Sequence, residues 1–384
     1  MNPISYGKQF ITENDISAVV KVLKGEYLTQ GNKVLEFEEK FADYIGSKYA
    51  VTVSNGTAAL HLSALSLGVN TNSKVITSPI TFAASANCIR YCGGHIDFCD
   101  IDPKTLILDI DLVRKKLEKS PKGTYQGIIP VDFAGYPVNL EAFRELADEF
   151  DLWLLEDACH APGGSFTDSN RIIHKCGSGK YADLAIFSFH PVKHITCGEG
   201  GMVTTNRKDL YEKLLQLRTH GITKAPEKIE ENHGGWYYEM QELGYNYRLT
   251  DIQCALGISQ LDRAEEGILK RYQIAQKYEM AFKNLPIKTI EVDRDMIHAY
   301  HLYVIQLENR KALFDAFRKE NIFTQIHYIP VHLQPYYKKL YGFKKGDFPH
   351  AEGYYQKCLS LPMYPTLLDE EQEFVIKCVK EFCE

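Results

Sequence analysis

The chain has 384 residues, with 44 Lys and Arg against 50 Asp and Glu and a formal net charge of −6. That balance offers no basic face for nucleic acid, and no apolar stretch is long enough to cross a bilayer. Hydrophobic residues at 45% and charged residues at 24% suit a globular enzyme, and the length exceeds what one core holds, so two domains are expected, 1–250 and 251–384. The start, Met1-Asn-Pro-Ile-Ser-Tyr6, lacks the charged and apolar regions of a signal peptide. The ten cysteines include no C-x-x-C pair. A cytoplasmic protein with reduced thiols is therefore expected.

Residues 10–24 and 34–45 read as amphipathic helices on either side of a loop, Gly25–Gly31. Next comes a short strand, 50–53, then Ser54-Asn55-Gly56-Thr57, then an apolar-rich helix closed by Gly68. A helix start with free backbone N–H groups and hydroxyls can bind phosphate, although such a turn alone is more often an ordinary cap. Further strand-like runs fall at 74–76, 127–131, 152–155 and 184–189, alternating with helical patterns. That alternation predicts a mostly parallel sheet covered by helices. The run 152–155 ends in Glu156-Asp157, where open α/β sheets place functional groups. The run 184–189 leads to Lys193 and then Gly198, Gly200 and Gly201. Residues 221–247 show weak periodicity and read as a long functional loop. Residues 251–281 read as one helix, and 300–305 as a strand in a smaller α+β domain.

A lysine at the mouth of a buried strand needs a reason, because lysines are usually solvated. A desolvated amine with a lowered pKa suits covalent attachment of an aldehyde cofactor. A carboxylate at the end of a neighbouring strand can keep a pyridine nitrogen protonated. Rival motifs are weak. No G-x-G-x-x-G follows a strand, Gly177-Ser-Gly179-Lys180 is an incomplete phosphate loop, and H-E-x-x-H is absent. His298 with His301, and His327 with His332, read as packing or substrate residues, so no metal is expected.

Phosphate turn, then acid, then lysine resembles the chain order of fold type I pyridoxal phosphate enzymes. The chain is identified as a member of the DegT/DnrJ/EryC1/StrS family of sugar aminotransferases along nearly its whole length. The matching stretches are Gly25–Gly31, Phe37–Ala42, Val53–Leu62, Ser78–Asn87, Glu156–His160, Phe187–Gly201 and Gly244–Gln253. The resemblance implies an α/β fold: a large domain with a mostly parallel sheet flanked by helices, and a smaller C-terminal α+β domain. It implies pyridoxal 5'-phosphate as cofactor, with Lys193 as its covalent anchor and proton carrier and Asp157 facing the pyridine nitrogen. Gly56, Thr57 and Ser188 would bind phosphate, Phe82 would stack on the ring, and His160 would lie near the 3-oxygen. Asn246 resembles a residue that crosses from a partner subunit, which implies a homodimer with shared sites. Family dehydratases carry His where Lys193 falls, so transamination is implied. Cys159 departs from the commoner Ala.

The wording of His190–Thr196 and of Gln325-Ile326-His327-Tyr328 resembles members on the pseudaminic acid pathway. That implies a UDP-linked 4-keto-6-deoxy-N-acetylhexosamine as amine acceptor and L-glutamate as donor. Tyr6, Gly25, Glu26, Tyr27, Leu28, Ser54, Ser188, Gln325, Ile326, His327 and Tyr328 would contact the sugar nucleotide. A GDP-linked 4-keto sugar, as in perosamine formation, is the rival acceptor. Another fold type I activity, or a cofactor-binding protein without turnover, is the rival class.

Overall fold

The protein is described by a computed structural model over residues 2–383. Its centre is a seven-stranded sheet, ordered Tyr49–Val53, Gly201–Thr205, Leu184–Ser188, Trp153–Asp157, Gly127–Ile129, Lys74–Thr77 and His95–Phe98. Neighbours pair in parallel except at Gly201–Thr205, which is antiparallel to both strands beside it. The expected mostly parallel sheet covered by helices is therefore present. Strands buried on both faces read as continuous apolar runs, and Leu184, Ala185, Ile186 and Phe187 are fully buried.

Two strands carry no such run and are not evident from the sequence. His95–Phe98 lies at the sheet edge and alternates, with Ile96 and Phe98 turned to the core. Gly201–Thr205 ends in two buried threonines. Their hydroxyls donate to Gly177 O and Asp183 O, each at 2.7 Å, which offsets the cost of burying them. Gly201 passes so close to the next turn that a Cβ would meet Asn55 O at 2.5 Å. Only glycine permits that approach. The helix Gly56–Ser66 begins at this turn, capped by Asn55, whose side chain accepts the Ala58 N–H at 2.8 Å.

The helices Glu13–Leu23 and Asn32–Ile45 pack against a third, Asp251–Leu261. The single helix expected over 251–281 is in fact two, Asp251–Leu261 and Ala264–Phe282. Between them Arg263 leaves helical geometry at φ −121°, ψ 16°. Its guanidinium turns to buried Asp15 and to Phe10, whose carbonyl and ring it meets. Tertiary contacts break this helix, and neither Gly nor Pro marks the place.

The C-terminal part is built on an antiparallel pair, Tyr303–Gln306 with Cys358–Leu361. Helices Ala264–Phe282, Arg310–Lys319 and Asp369–Cys383 share its core. The strand starts three residues later than expected, because Tyr300 sits at φ 48° and cannot continue a ladder. Ile4–Ser5 pairs in parallel with Ile322–Phe323, joining the first described residues to this part. Within 221–247 a small hairpin forms, Ile222–Thr223 with Glu239–Met240. Among the described residues no helix is long and apolar enough to cross a membrane.

Candidate active site

The parallel strands deliver Asn55, Thr81, Val131, Asp157 and Ser188 to one rim of the sheet, around a cavity of about 800 Å³. Of the residues picked out in the sequence, Tyr6, Gly56, Thr57, Phe82, Asp157, His160, Ser188, Lys193, His327 and Tyr328 line it.

The floor is the N-terminus of Gly56–Ser66, with its unpaired amides. Ser188 sits against Gly56, where a Cβ would meet Ser188 Cβ at 2.9 Å. The missing side chain at 56 thus leaves a cradle that an alanine would fill.

Lys193 enters on the loop after Leu184–Ser188, and its Nζ lies 3.4 Å from His301 Nε2. Burial pulls the amine below its ordinary range, against the pull of Cys159 and Asp157, while the cationic Arg271 pushes it further down. A neutral amine is what nucleophilic attack and proton abstraction both need. Asp157 is buried at the end of its strand. Its Oδ2 accepts the Ser85 hydroxyl at 2.6 Å, and its Oδ1 accepts the Cys159 backbone N–H at 3.2 Å.

His160 has a defined tautomer. The Ala134 N–H donates to its Nδ1 at 3.2 Å, so Nε2 carries the proton and faces Tyr328 Oη, also at 3.2 Å. Burial holds this imidazole neutral, well below the usual histidine range. Burial also lowers His327, to about 3, and its Nδ1 lies 2.8 Å from Ser360 Oγ. Tyr6 packs on His327 with ring centres 5.1 Å apart. Phe82 stands 61% exposed at the mouth, free to cover a flat ring.

Gly25, Glu26, Tyr27, Leu28, Ser54, Asn246, Gln325 and Ile326 are not part of the cavity wall. Gly25 to Leu28 and Asn246 are exposed. The loop Gly25–Gly31 docks instead on the start of the helix Asp251–Leu261. Leu28 O accepts the Asp251 N–H at 3.0 Å, and the Asp251 carboxylate accepts the Gly31 and Lys33 N–H groups at 2.8 and 3.0 Å. Ser54 N–H donates to Tyr247 O at 2.8 Å, placing Asn246 one residue from the wall.

Several wall residues have no assigned role from the sequence, namely His61, Thr81, Ser85, Tyr91 and Tyr247, and His301 reads there only as a packing or substrate residue. Thr81 and Ser85 flank Phe82 within the stretch 78–87, and their four-residue spacing across a helix start was the available signal. His301 is held from behind. Arg271, almost fully buried, reaches Tyr300 O and His301 O at 3.2 Å each and Met363 O at 2.8 Å.

One further cluster lies behind the wall. Carboxyl oxygens of Asp132 and Glu156 and Sγ of Cys176 lie within 4.8 Å of one another, all buried. Glu156 accepts the Gly177 N–H, and Asp132 accepts the Val138 N–H at 2.8 Å. Burial raises both carboxyls, Asp132 to about 7.

A helix N-terminus, a buried carboxylate and a buried amine with a lowered pKa, converging at the strand ends of a mostly parallel sheet, fit pyridoxal phosphate. Together they define a fold type I pyridoxal-phosphate-dependent aminotransferase. When bound, that cofactor supplies an electron-withdrawing ring that acidifies the neighbouring C–H of the amine it carries.

Comparison with known proteins agrees. Residues 9–380 match the DegT/DnrJ/EryC1/StrS aminotransferase family, and the chain belongs to it. It is 38% identical over 381 residues to the UDP-4-amino-4,6-dideoxy-N-acetyl-beta-L-altrosamine transaminase of Campylobacter jejuni, covering 97% of this chain and 95% of that one. It is also 38% identical over 386 residues to the spore coat polysaccharide biosynthesis protein SpsC of Bacillus subtilis, covering 98% and 96%. Among solved structures, Helicobacter pylori PseC, an aminotransferase of pseudaminic acid biosynthesis, superposes with a TM-score of 0.88 at 30% identity, covering 100% and 99%. The pyridoxal phosphate form of the putative sugar aminotransferase Spr1654 of Streptococcus pneumoniae gives 0.89 at 27% identity, covering 99% and 98%. The protein is a pyridoxal-phosphate-dependent nucleotide-sugar aminotransferase.

Proposed function

We propose that this enzyme transfers an amino group from L-glutamate to the C4 keto carbon of a UDP-linked 4-keto-6-deoxy-N-acetylhexosamine, in the cytoplasm, as a step of pseudaminic acid biosynthesis. The observation that carries the reading is likeness along the whole chain, at 38% identity, to a transaminase named for that product. The cavity supports it. Beyond Lys193 and Asp157 it continues past Tyr6, His327 and Tyr328, which offer ring faces and polar tips to a sugar.

In this reading Lys193 anchors the cofactor and then carries the proton between substrate carbons. Asp157 keeps the ring nitrogen protonated. Gly56, Thr57 and Ser188 hold phosphate, Phe82 covers the ring, and His160 with Tyr328 borders its polar edge. The division at residue 250 separates the cofactor-bearing part from the smaller part that brings His327 and Tyr328. Tyr6, Ser54 and the segments Gly25–Leu28 and Gln325–Tyr328 serve the nucleotide sugar. The exposed position of Asn246 and of Gly25–Leu28 suits delivery to the site of a second copy. Exposed Tyr27, Trp236 and Leu243, at 63%, 74% and 75%, supply apolar surface for that homodimer.

A GDP-linked 4-keto sugar is the competing acceptor. The test loads the enzyme with amine from glutamate and then offers each keto sugar in a single turnover, following the cofactor's absorbance. Return of the original band with the UDP-linked sugar alone supports the proposal. Return with the GDP-linked sugar alone overturns the substrate, and return only with keto acids overturns the sugar reading.

A further inference from the structure

The Asp157 carboxyl has 5% of its surface exposed, and no lysine, arginine or histidine pairs with it among the described residues. A buried carboxyl group needs hydrogen-bond partners to offset its lost hydration. One comes from the Cys159 backbone at 3.2 Å, which any residue would supply. The other comes from a side chain. Ser85 Oγ lies 2.6 Å from Asp157 Oδ2 and 2.7 Å from Thr81 Oγ1.

Counting protons fixes the direction of this chain. A serine has one hydroxyl hydrogen, and an ionised carboxylate can only accept. Ser85 must therefore donate to Asp157, which leaves its oxygen to accept from Thr81. The competing acceptor for the Ser85 proton is Phe82 O, at 3.3 Å, a much poorer distance. Ser85 is fully buried and Thr81 is 3% exposed, so water does not substitute for either partner. Thr81 and Ser85 also bracket Phe82, so one five-residue segment sets both the acid beneath the cofactor site and the aromatic ring at its mouth.

We infer that Ser85 is a positioning residue for Asp157, and that Thr81 acts on the site through Ser85. The hydroxyl chain Thr81 to Ser85 to Asp157 fixes the carboxylate's rotamer and charge before the cofactor arrives, so binding does not have to order it. This inference rests on the role given to Asp157 above. It reaches no group of the substrate, and its effects belong to the cofactor.

The test is a thermodynamic cycle on cofactor affinity, measured by titrating apo-protein with pyridoxal phosphate and following protein fluorescence. Ser85→Ala removes a hydrogen bond to a charged acceptor and is expected to weaken binding about ten- to a hundredfold. Thr81→Val preserves shape, removes a neutral hydrogen bond, and should weaken it about two- to tenfold. The decisive arms are the doubles. Thr81→Val should cost nothing further in a Ser85→Ala background, and neither change should cost anything in an Asp157→Asn background. In the loaded enzyme kcat should fall for Ser85→Ala while KM for glutamate stays constant. Wild-type affinity in Ser85→Ala, or an undiminished loss in the Asp157→Asn background, overturns the inference. If Ser85→Ala does not fold, Thr81→Val with and without Asp157→Asn decides the same question. Unchanged affinity and turnover in Asp157→Asn itself removes the role of Asp157, a failure separate from that of Ser85.

Discussion

Replacing Arg271 with Met tests whether the wall around Lys193 is held from behind. The guanidinium is 2% exposed and faces no carboxylate. Its Nη1 reaches three backbone carbonyls, Tyr300 O, His301 O and Met363 O. One nitrogen carries two hydrogens, so the three contacts amount to two full hydrogen bonds, one of them shared. At about 1.5 to 3 kcal/mol for a charged donor, their loss costs roughly 3 to 6 kcal/mol. Releasing a desolvated cation, whose Nε also lacks a partner, returns part of that. A net loss of about 3 kcal/mol is expected against a typical total of about 5 to 15. The assay is guanidinium-induced unfolding of apo-protein, followed by circular dichroism. Because His301 N–H and C=O belong to the segment being released, cofactor retention on dialysis should fall as well. An Arg271→Met protein as stable as wild type would show that other donors reach these carbonyls, and the bracing argument would be wrong.

Other expectations are more direct. Lys193→Ala should abolish the cofactor's covalent absorbance band and all transamination; a variant that keeps the band removes Lys193 from its role. Asp157→Asn should leave the fold intact and slow both half-reactions at least about a hundredfold, equivalent to roughly 2.7 kcal/mol of barrier; near-normal turnover refutes the assignment. The Asp132–Glu156 pair gives a pH signature. Both carboxyls are raised by burial, Asp132 to about 7, and Glu156 is raised further by the neighbouring Asp132. Their contribution is complete below the unfolded value near 4 and is lost as pH rises through the folded value. Wild-type protein should therefore lose stability between about pH 5 and 8. Asp132→Asn should show a smaller loss in the same unfolding series, and an equal loss would locate the effect elsewhere.

The readability of this fold followed burial. Leu184–Ser188 and Trp153–Asp157 are recognisable because strands covered on both faces must be apolar throughout, and the acid and lysine at their ends stand out against that background. Gly201–Thr205 is hidden because its buried threonines are satisfied by Gly177 O and Asp183 O, contacts that no local pattern records. The break at Arg263 is hidden for a related reason, since Asp15 lies some 250 positions away and supplies the pull. In the site, residues carrying conspicuous chemistry stand out in the sequence, and those hydrogen-bonded to them do not. Ser85 and Thr81 look like any small polar residues at a helix start until their hydroxyls are seen in line with Asp157. Asn246 and Gly25–Leu28 do not line the cavity, and no local sequence pattern records that.

The pairing of Ile4–Ser5 with Ile322–Phe323 divides the site by sequence distance. In the proposed reading most of the residues that face the cofactor, from Gly56 to Lys193, lie within one continuous stretch, with Tyr328 joining them from the C-terminal part. The far wall is closed by Tyr6 against His327, two side chains separated by most of the chain. The cofactor half can thus take shape from neighbours in sequence, whereas the wall facing the incoming sugar waits until the C-terminal part has been synthesised and folded back. Damage to the first short strand, by a bulky amino-terminal fusion for example, would spare cofactor capture and fall on substrate recognition.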